Sequence, residues 1–394
     1  MEGCRQKGAH MKIVHITHHY IDGWGYQDNL LPEYQYRQGD EVVVVSDNDH
    51  LGYMQNPELA SAIRARGSEY VINGVRIRKI KCFFNTSNTS LFCKGLYRLL
   101  REEQPDMILH HGIDSSSLVV ATMYKYNHKD IRLYVDNHAD AINETRNRIW
   151  DICYNKVLLS AVVKLLGDLV DCYFGVTPLR CEYLHVKFGV PSHKIGFLPI
   201  GCDTYHVDAL GLNRVELRQK YGFSNDAFLV VSGGKMDASK GTIDLINVIR
   251  DLQEEIPQLH LILFGKSDSE VAEAVKESPF VSNFGWCDRD TTLSLLALSD
   301  VACWPLLHTT LIEDAVACGI PLIVKSSGNV RHFQQEQNGI FLQTGDYQEL
   351  LKAIRDIIHD YQHFSVVSSR VRYKYSYDAI AASLKTGCGY GLEQ

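Results

Sequence analysis

Short apolar runs recur along this chain. Each ends in a glycine or polar break, and most are followed by a stretch with helical spacing. The first pair sets the pattern. KIVHIT (12–17) leads through DGWGYQDNLLPEYQYRQGD (22–40), where Leu30, Leu31, Tyr34 and Tyr36 give a helix an apolar side. The chain then enters EVVVVSD (41–47). A strand that is apolar on both sides is one covered on both sides, so this order reads as a βαβ unit opening a doubly wound parallel sheet. MILHHG (107–112), RLYVDNHAD (132–140), DCYFGVT (171–177) and KIGFLPIG (194–201) continue it, with helical stretches such as 115–126 and 150–168 between them. EYVINGVRIRKI (69–80) is different: Asn73-Gly74 between alternating runs predicts a hairpin.

Periodicity weakens around GCDTYHVDALGLN (201–213), which marks a linker, and then restarts. AFLVVSGGK (227–235), HLILFGK (260–266), FVSNFGW (280–286), VACWPL (301–306), PLIVKS (321–326) and GIFLQ (339–343) read as strands. Helices are expected over 241–254, 269–277, 290–299 and 346–359. The expected division is a leader over 1–10, read as a possible expression remnant, a first α/β domain over 11–203 and a second over 204–374. An amphipathic end over about 375–394 is expected to return to the first. A chain of 394 residues is too long for one ordinary core, which agrees with two domains.

Composition narrows the function. A net charge of −7 does not favour bulk nucleic-acid binding. The 11 cysteines are scattered without a Cys-x-x-Cys pair, which fits a reducing cytosol and gives no zinc site. No apolar run approaches the roughly 20 residues that span a bilayer. The stretch LFCKGLYRLLR (91–101) is expected to be helical; its Lys94, Arg98 and Arg101 beside leucines suit either an anionic membrane surface or packing on the sheet. The sequons at Asn85 and Asn88 read as chance matches in a cytosolic chain.

In doubly wound sheets ligands bind outside the carboxyl ends of the strands, so the loops after strands are the places to look. In VVSGGKMDASKG (230–241), Gly233 and Gly234 allow close backbone approach, and Lys235 and Lys240 with a helix start suit a diphosphate. The Gly-x-x-x-x-Gly-Lys-Ser/Thr spacing of a P-loop is absent. HTTLIEDAVACGIPLIV (308–324) follows another strand. Thr309 or Thr310 can cap its helix, Glu313 and Asp314 complement the dipole, and the N–H groups of Thr310, Leu311 and Ile312 can meet a phosphate. Two phosphate-competent loops at one sheet edge point to a nucleotide-diphosphate donor. Gly285 of NFGW could line the base through its backbone. In the first domain His138 stands just past a strand and faces solvent or ligand. HITHHY and HHG add histidines, but no acid-and-histidine spacing is a metal pattern, so no metal is expected. Asp47 and Asp49 read as a polar loop rather than a metal–diphosphate pair.

These stretches together resemble the GT-B glycosyltransferases of the large retaining family that includes bacterial polysaccharide and lipid-sugar transferases (family 4, glycosyl transferases group 1). DGWGYQDNLLPEYQYRQGDEVVVVS, KIGFLPIGCD, SGGKMDASKGTIDLI, EDAVACGIPLIVKSSGNVRHF and NGIFLQTGD carry the resemblance. It implies two Rossmann-like domains facing each other across a cleft. Gly234, Lys235, Lys240 and Gly241 would hold the donor diphosphate, with Lys235 where the family has arginine. Gly23 and Gly25 would belong to the glycine loop after the first strand, and His138 would stand near the reacting sugar. Asp314 matches the acid that binds the donor ribose, with Glu313 its neighbour. The partner glutamate's position falls at Leu306, so the resemblance does not name the sugar.

The activity so implied is retaining, metal-independent transfer of a sugar from a UDP- or GDP-linked donor to an acceptor hydroxyl. The acceptor would be a sugar, lipid-linked sugar or protein. The setting would be bacterial polysaccharide or glycoconjugate synthesis, in the cytoplasm or at the inner membrane face. No cofactor is implied. A nucleotide-sugar epimerase on a similar fold and a non-catalytic nucleotide-sugar-binding protein are the alternatives.

Overall fold

The valine run survives as expected in the computed structural model, which describes residues 10–18, 20–47, 57–86, 89–93, 95–138, 163–165 and 167–387. The chain divides into two units, Met1–Pro199 with Ile380–Gln394, and Ile200–Ala379.

In the first unit the strands are β1 (Lys12–Ile16), β2 (Glu41–Asp47), β3 (Glu69–Ile72), β4 (Val75–Ile80), β5 (Cys82–Thr86), β6 (Thr89–Cys93), β7 (Met107–His111), β8 (Arg132–Asn137), β9 (Cys172–Gly175) and β10 (Ile195–Phe197). Eight of them form one sheet in the order β10-β9-β8-β7-β1-β2-β4-β3, and β5 pairs with β6 alone. All the ladders of the large sheet are parallel except β3–β4. That hairpin turns at Asn73 (φ 49°) and Gly74 (φ 84°). Two consecutive positive-φ residues suit the twist of a two-residue turn. A side chain at Gly74 would meet the Tyr36 ring.

The stretch 91–101 corrects the sequence reading. Its first part is β6, and the helix runs over Leu96–Glu103 behind Gly95, whose φ of 90° is left-handed. Leu96, Leu99 and Leu100 are buried in the core of the unit, while Arg98 projects outward to Glu102 at 2.8 Å. The apolar side packs on the protein's own core. Most of the expected helix 150–168 lies outside the described residues. Among the described residues no helix is long and apolar enough to cross a membrane.

The second unit contains β11 (Phe228–Met236), β12 (Leu259–Ser267), β13 (Val281–Asn283), β14 (Val301–Trp304), β15 (Leu322–Lys325) and β16 (Gly339–Leu342). They form an all-parallel sheet in the order β13-β12-β11-β14-β15-β16. Three of its helices begin on aspartate caps: Asp268, Asp288 and Asp346 each accept from the backbone N–H three residues on. The stretch read as a linker holds a short helix, Thr204–Ala209, capped by Asp203. The helix Tyr361–Lys374, absent from the sequence reading, precedes Tyr377–Thr386.

Strand order reverses once in each sheet. In the first, β1 lies between β2 and β7; in the second, β11 lies between β12 and β14. Such switch points open a crevice beyond the strand ends where ligands bind.

Candidate functional site

At the second switch point the loops after β11 and β14 pack together. The Trp304 indole N–H donates to the Gly233 carbonyl at 3.0 Å, joining the ends of the two strands. A Cβ on Gly241 (φ 72°) would come within 2.9 Å of Pro305 and 3.1 Å of Leu306, and one on Gly234 (φ 100°) within 3.4 Å of Leu311. The two stretches expected to hold phosphate are therefore neighbours, and glycine is what lets them approach. Lys235 is exposed and pairs with Asp237 at 3.0 Å. Lys240 is half-buried at the entry to the helix Thr242–Leu252. Gly285 (φ 63°) follows β13, and its carbonyl accepts from the Gly265 N–H, so it lies next to the end of β12. Trp286 beside it is 81% exposed.

The helix Leu311–Ala317 starts after Thr310, which makes no side-chain cap. Thr309 does that work: its hydroxyl accepts from the Leu311 N–H at 3.4 Å and its carbonyl from the Ile312 N–H at 3.2 Å. A phosphate at this helix start would have to take those donors from Thr309.

The adjacent acids have different surroundings. Asp314 meets Arg289 at 3.2 Å, and Arg289 also meets Asp203 at 3.2 Å. Burial pushes the Asp314 carboxyl up to about 6; Arg289 pulls it back, while Glu313 and Asp203 push it further. Glu313 is 4% exposed. One of its oxygens faces His308 at 3.6 Å and the other has no hydrogen-bond partner. Sequence matching pointed to Asp314; the carboxylate with an unengaged oxygen is Glu313.

At the first switch point the strand ends carry a hydrogen-bonded chain that the sequence reading did not assemble. Gln35 Oε1 lies 2.6 Å from His15 Nε2, and His15 Nδ1 lies 3.0 Å from His111 Nε2. His111 Nδ1 lies 2.6 Å from Asp136 Oδ2. The donors can be counted. Gln35 Oε1 only accepts, so His15 carries its proton on Nε2. Burial, with the His111 charge, pushes the His15 pKa down to about 3, so the ring is neutral and its Nδ1 accepts. His111 then donates from both nitrogens, as an imidazolium facing the Asp136 carboxylate. Burial alone would lower the His111 pKa, but the charge and hydrogen bond of Asp136 outweigh it and raise it. Burial alone would raise the Asp136 pKa, but His111 and His138 hold it far below the usual carboxylate range.

His138 is 43% exposed, with Nε2 3.4 Å from the same Asp136 oxygen. Asp28 lies close enough for His111 and His138 to favour its charged form, although burial raises its pKa. His18 and His110 are engaged elsewhere, on Ser117 at 3.0 and 2.7 Å. Gly23 (φ 76°) and Gly25 (φ 68°) shape the loop after β1. Asp47 is buried at the end of β2, and Asp49 lies outside the described residues. Among the described residues, His111, Asp136 and His138 gather ligand atoms within 4.8 Å of one another, the grouping that could hold a metal ion.

Two doubly wound parallel sheets, each with its crevice at a switch point, define a GT-B protein. Within it, residues 213–375 match the family model described as glycosyl transferases group 1. A curated relative, the putative glycosyltransferase EpsD of Bacillus subtilis (strain 168), is 24% identical over 218 residues. That match covers 52% of this chain and 56% of EpsD, about half the relative's length. A glycosyltransferase structure from Rickettsia africae superposes with a TM-score of 0.66 at 13% identity, covering 95% of this chain and 96% of that one. Anabaena HepE, solved in complex with UDP and glucose, gives 0.59 at 16% identity over 96% and 99% of the two chains. At such identities the structures establish the shared fold.

Proposed function

We propose that the protein transfers a sugar, with retention, from a nucleotide-diphosphate donor to an acceptor hydroxyl, and that the transfer step needs no metal. The observation that carries this reading is the packing of the Gly233–Gly241 loop against Pro305–Leu311 at the second switch point, inside the segment that matches the family. Lys240 and Lys235 would neutralise the charge that develops on the leaving diphosphate. Glu313 is the carboxylate we assign to the donor ribose, because Asp314 is held by Arg289. The loop at Gly285 would take the base. The UDP complexes of HepE support a uridine-linked donor. His138 would hydrogen-bond the transferred sugar or its acceptor. A role in surface polysaccharide or glycoconjugate synthesis, at the inner face of the membrane, is the setting the family resemblance implies.

The test is calorimetry with UDP, GDP and their sugars in the presence of EDTA. One nucleotide should bind in the micromolar range and lose at least tenfold in affinity in Lys240→Ala. Binding by none of them, or binding unchanged in that variant, would remove the donor site. Product analysis on the donor that binds then separates sugar transfer from epimerisation.

A further inference from the structure

We infer that His111 Nδ1, Asp136 Oδ2 and His138 Nε2 form a binding site for a divalent first-row transition metal of the zinc class, and that metal there withdraws His138 from sugar or acceptor. This goes beyond the proposed transfer, which uses no metal.

The geometry comes first. The three ligand atoms come from the ends of two paired strands: His111, the last residue of β7, lies opposite Asp136, the fifth residue of β8, and His138 follows the end of β8. They lie within 4.8 Å of one another, with Asp136 Oδ2 2.6 Å from His111 and 3.4 Å from His138. An ion bonded at about 2.0–2.2 Å to each holds its ligands about 3–3.5 Å apart. The His138 spacing already fits, and the His111 spacing must open by roughly half an ångström to one ångström as the ion replaces the proton on His111 Nδ1, which is released to solvent.

The surroundings are those of a supported site. Metal ligands are oriented by hydrogen bonds on their other atoms. Here His111 Nε2 is held by His15 at 3.0 Å, and His15 in turn by Gln35 at 2.6 Å. Asp136 Oδ1 accepts from the Gly112 N–H at 3.2 Å. His111 and Asp136 are buried and fixed, while His138 is 43% exposed and leaves an approach from solvent. Two imidazoles with carboxylate oxygens select zinc-like ions over magnesium or calcium, which take oxygen ligands. Sequence spacing could not show this site, because its ligands meet only when β7 and β8 pair.

The experiment is titration of the chelator-stripped full chain with zinc chloride by calorimetry, with cobalt(II) absorption as a second readout. One saturable site per chain is expected. Its affinity should fall at least tenfold in His138→Ala, and the cobalt bands should vanish. His138 is exposed enough for that variant to fold. His128→Ala, which alters a histidine on the Tyr124 carbonyl, should leave the site unchanged. Absence of a saturable site, or a site retained in His138→Ala, overturns the inference. Nucleotide binding measured in EDTA reads the donor site independently, so failure of one reading is distinct from failure of the other.

Discussion

Arg289 stands 3.2 Å from Asp314, and this pair decides what the second acid of the Glu-Asp sequence can do. Asp314 is 18% exposed and Arg289 34%, so the contact is shielded without being dry. Burial leaves the Asp314 carboxyl near 6 even with the guanidinium beside it. A carboxyl whose folded pKa lies above its unfolded value binds its proton more tightly when folded. Its contribution is therefore full below the unfolded pKa of about 3.9 and is lost as pH rises through about 6. Asp314→Asn should remove that dependence. Unfolding free energies of wild type and variant from urea titrations should diverge between these pH values, by up to about 3 kcal/mol. Arg289→Ala should cost about 1–3 kcal/mol at neutral pH, below the range for a fully buried pair because the arginine is partly exposed.

The His111–Asp136 pair should show a window instead of a slope. Asp136 has a depressed pKa, so its contribution is present above the unfolded value of about 3.9 and disappears as pH falls through its folded value. His111 has a raised pKa, so its contribution is full below about 6.5 and is lost as pH rises through its folded value. Both hold together between about pH 4 and 6.5. In EDTA, the stability difference between wild type and Asp136→Asn should be largest there, about 3–5 kcal/mol, and shrink on both sides. A difference that is flat with pH would mean that the pair is not ionised.

The parts of the fold that were legible are those fixed by local chemistry. The valine run of β2 and the Asn73-Gly74 turn each follow from a few adjacent residues. The helix Tyr361–Lys374 was not legible. Its apolar and polar residues are mixed, and only Ser368 and Val371 are buried within it, so it is held by neighbours more than by its own pattern. LFCKGLYRLLR misled because its leucines fit a helical face while Gly95 inside it sets the real start. That the loops after β11 and β14 would stand side by side was legible because both follow strands of one sheet. Sequence matching pointed to Asp314, because the arginine that engages its carboxylate lies on another helix and leaves no local trace. The His15–His111–Asp136–His138 chain was seen only as scattered histidines, since parallel pairing of β1, β7 and β8 is what aligns them.

Gly241 in the donor loop is expected to resist replacement on two counts. Its φ of 72° is left-handed, and a Cβ there would meet Pro305 at 2.9 Å. Gly241→Ala should therefore cost about 2–4 kcal/mol in urea unfolding, the sum of left-handed strain and overpacking. It should also weaken UDP binding by moving the loop. Gly222→Ala is the comparison: its φ of 80° is also left-handed, but a Cβ meets nothing within 4 Å, so only about 1–2 kcal/mol is expected, with UDP binding unchanged.

Lys240 and Lys235 should not contribute equally to the donor site, although sequence treats them alike. Lys235 is 78% exposed and already meets Asp237 at 3.0 Å, so a diphosphate must compete with a carboxylate for it and with water around it. Lys240 is half-buried and precedes Gly241, the residue that packs on Pro305 and Leu306, so its backbone stands where the two loops meet. A charge-assisted contact there is worth about 1.5–3 kcal/mol. UDP affinity should therefore fall roughly 10- to 100-fold in Lys240→Ala, and less than about threefold in Lys235→Ala. Lys240→Arg should recover part of the loss, because it keeps the charge on a longer and more rigid head. If the two alanine variants lose affinity equally, the Asp237 pair opens on binding, and both lysines reach the phosphates.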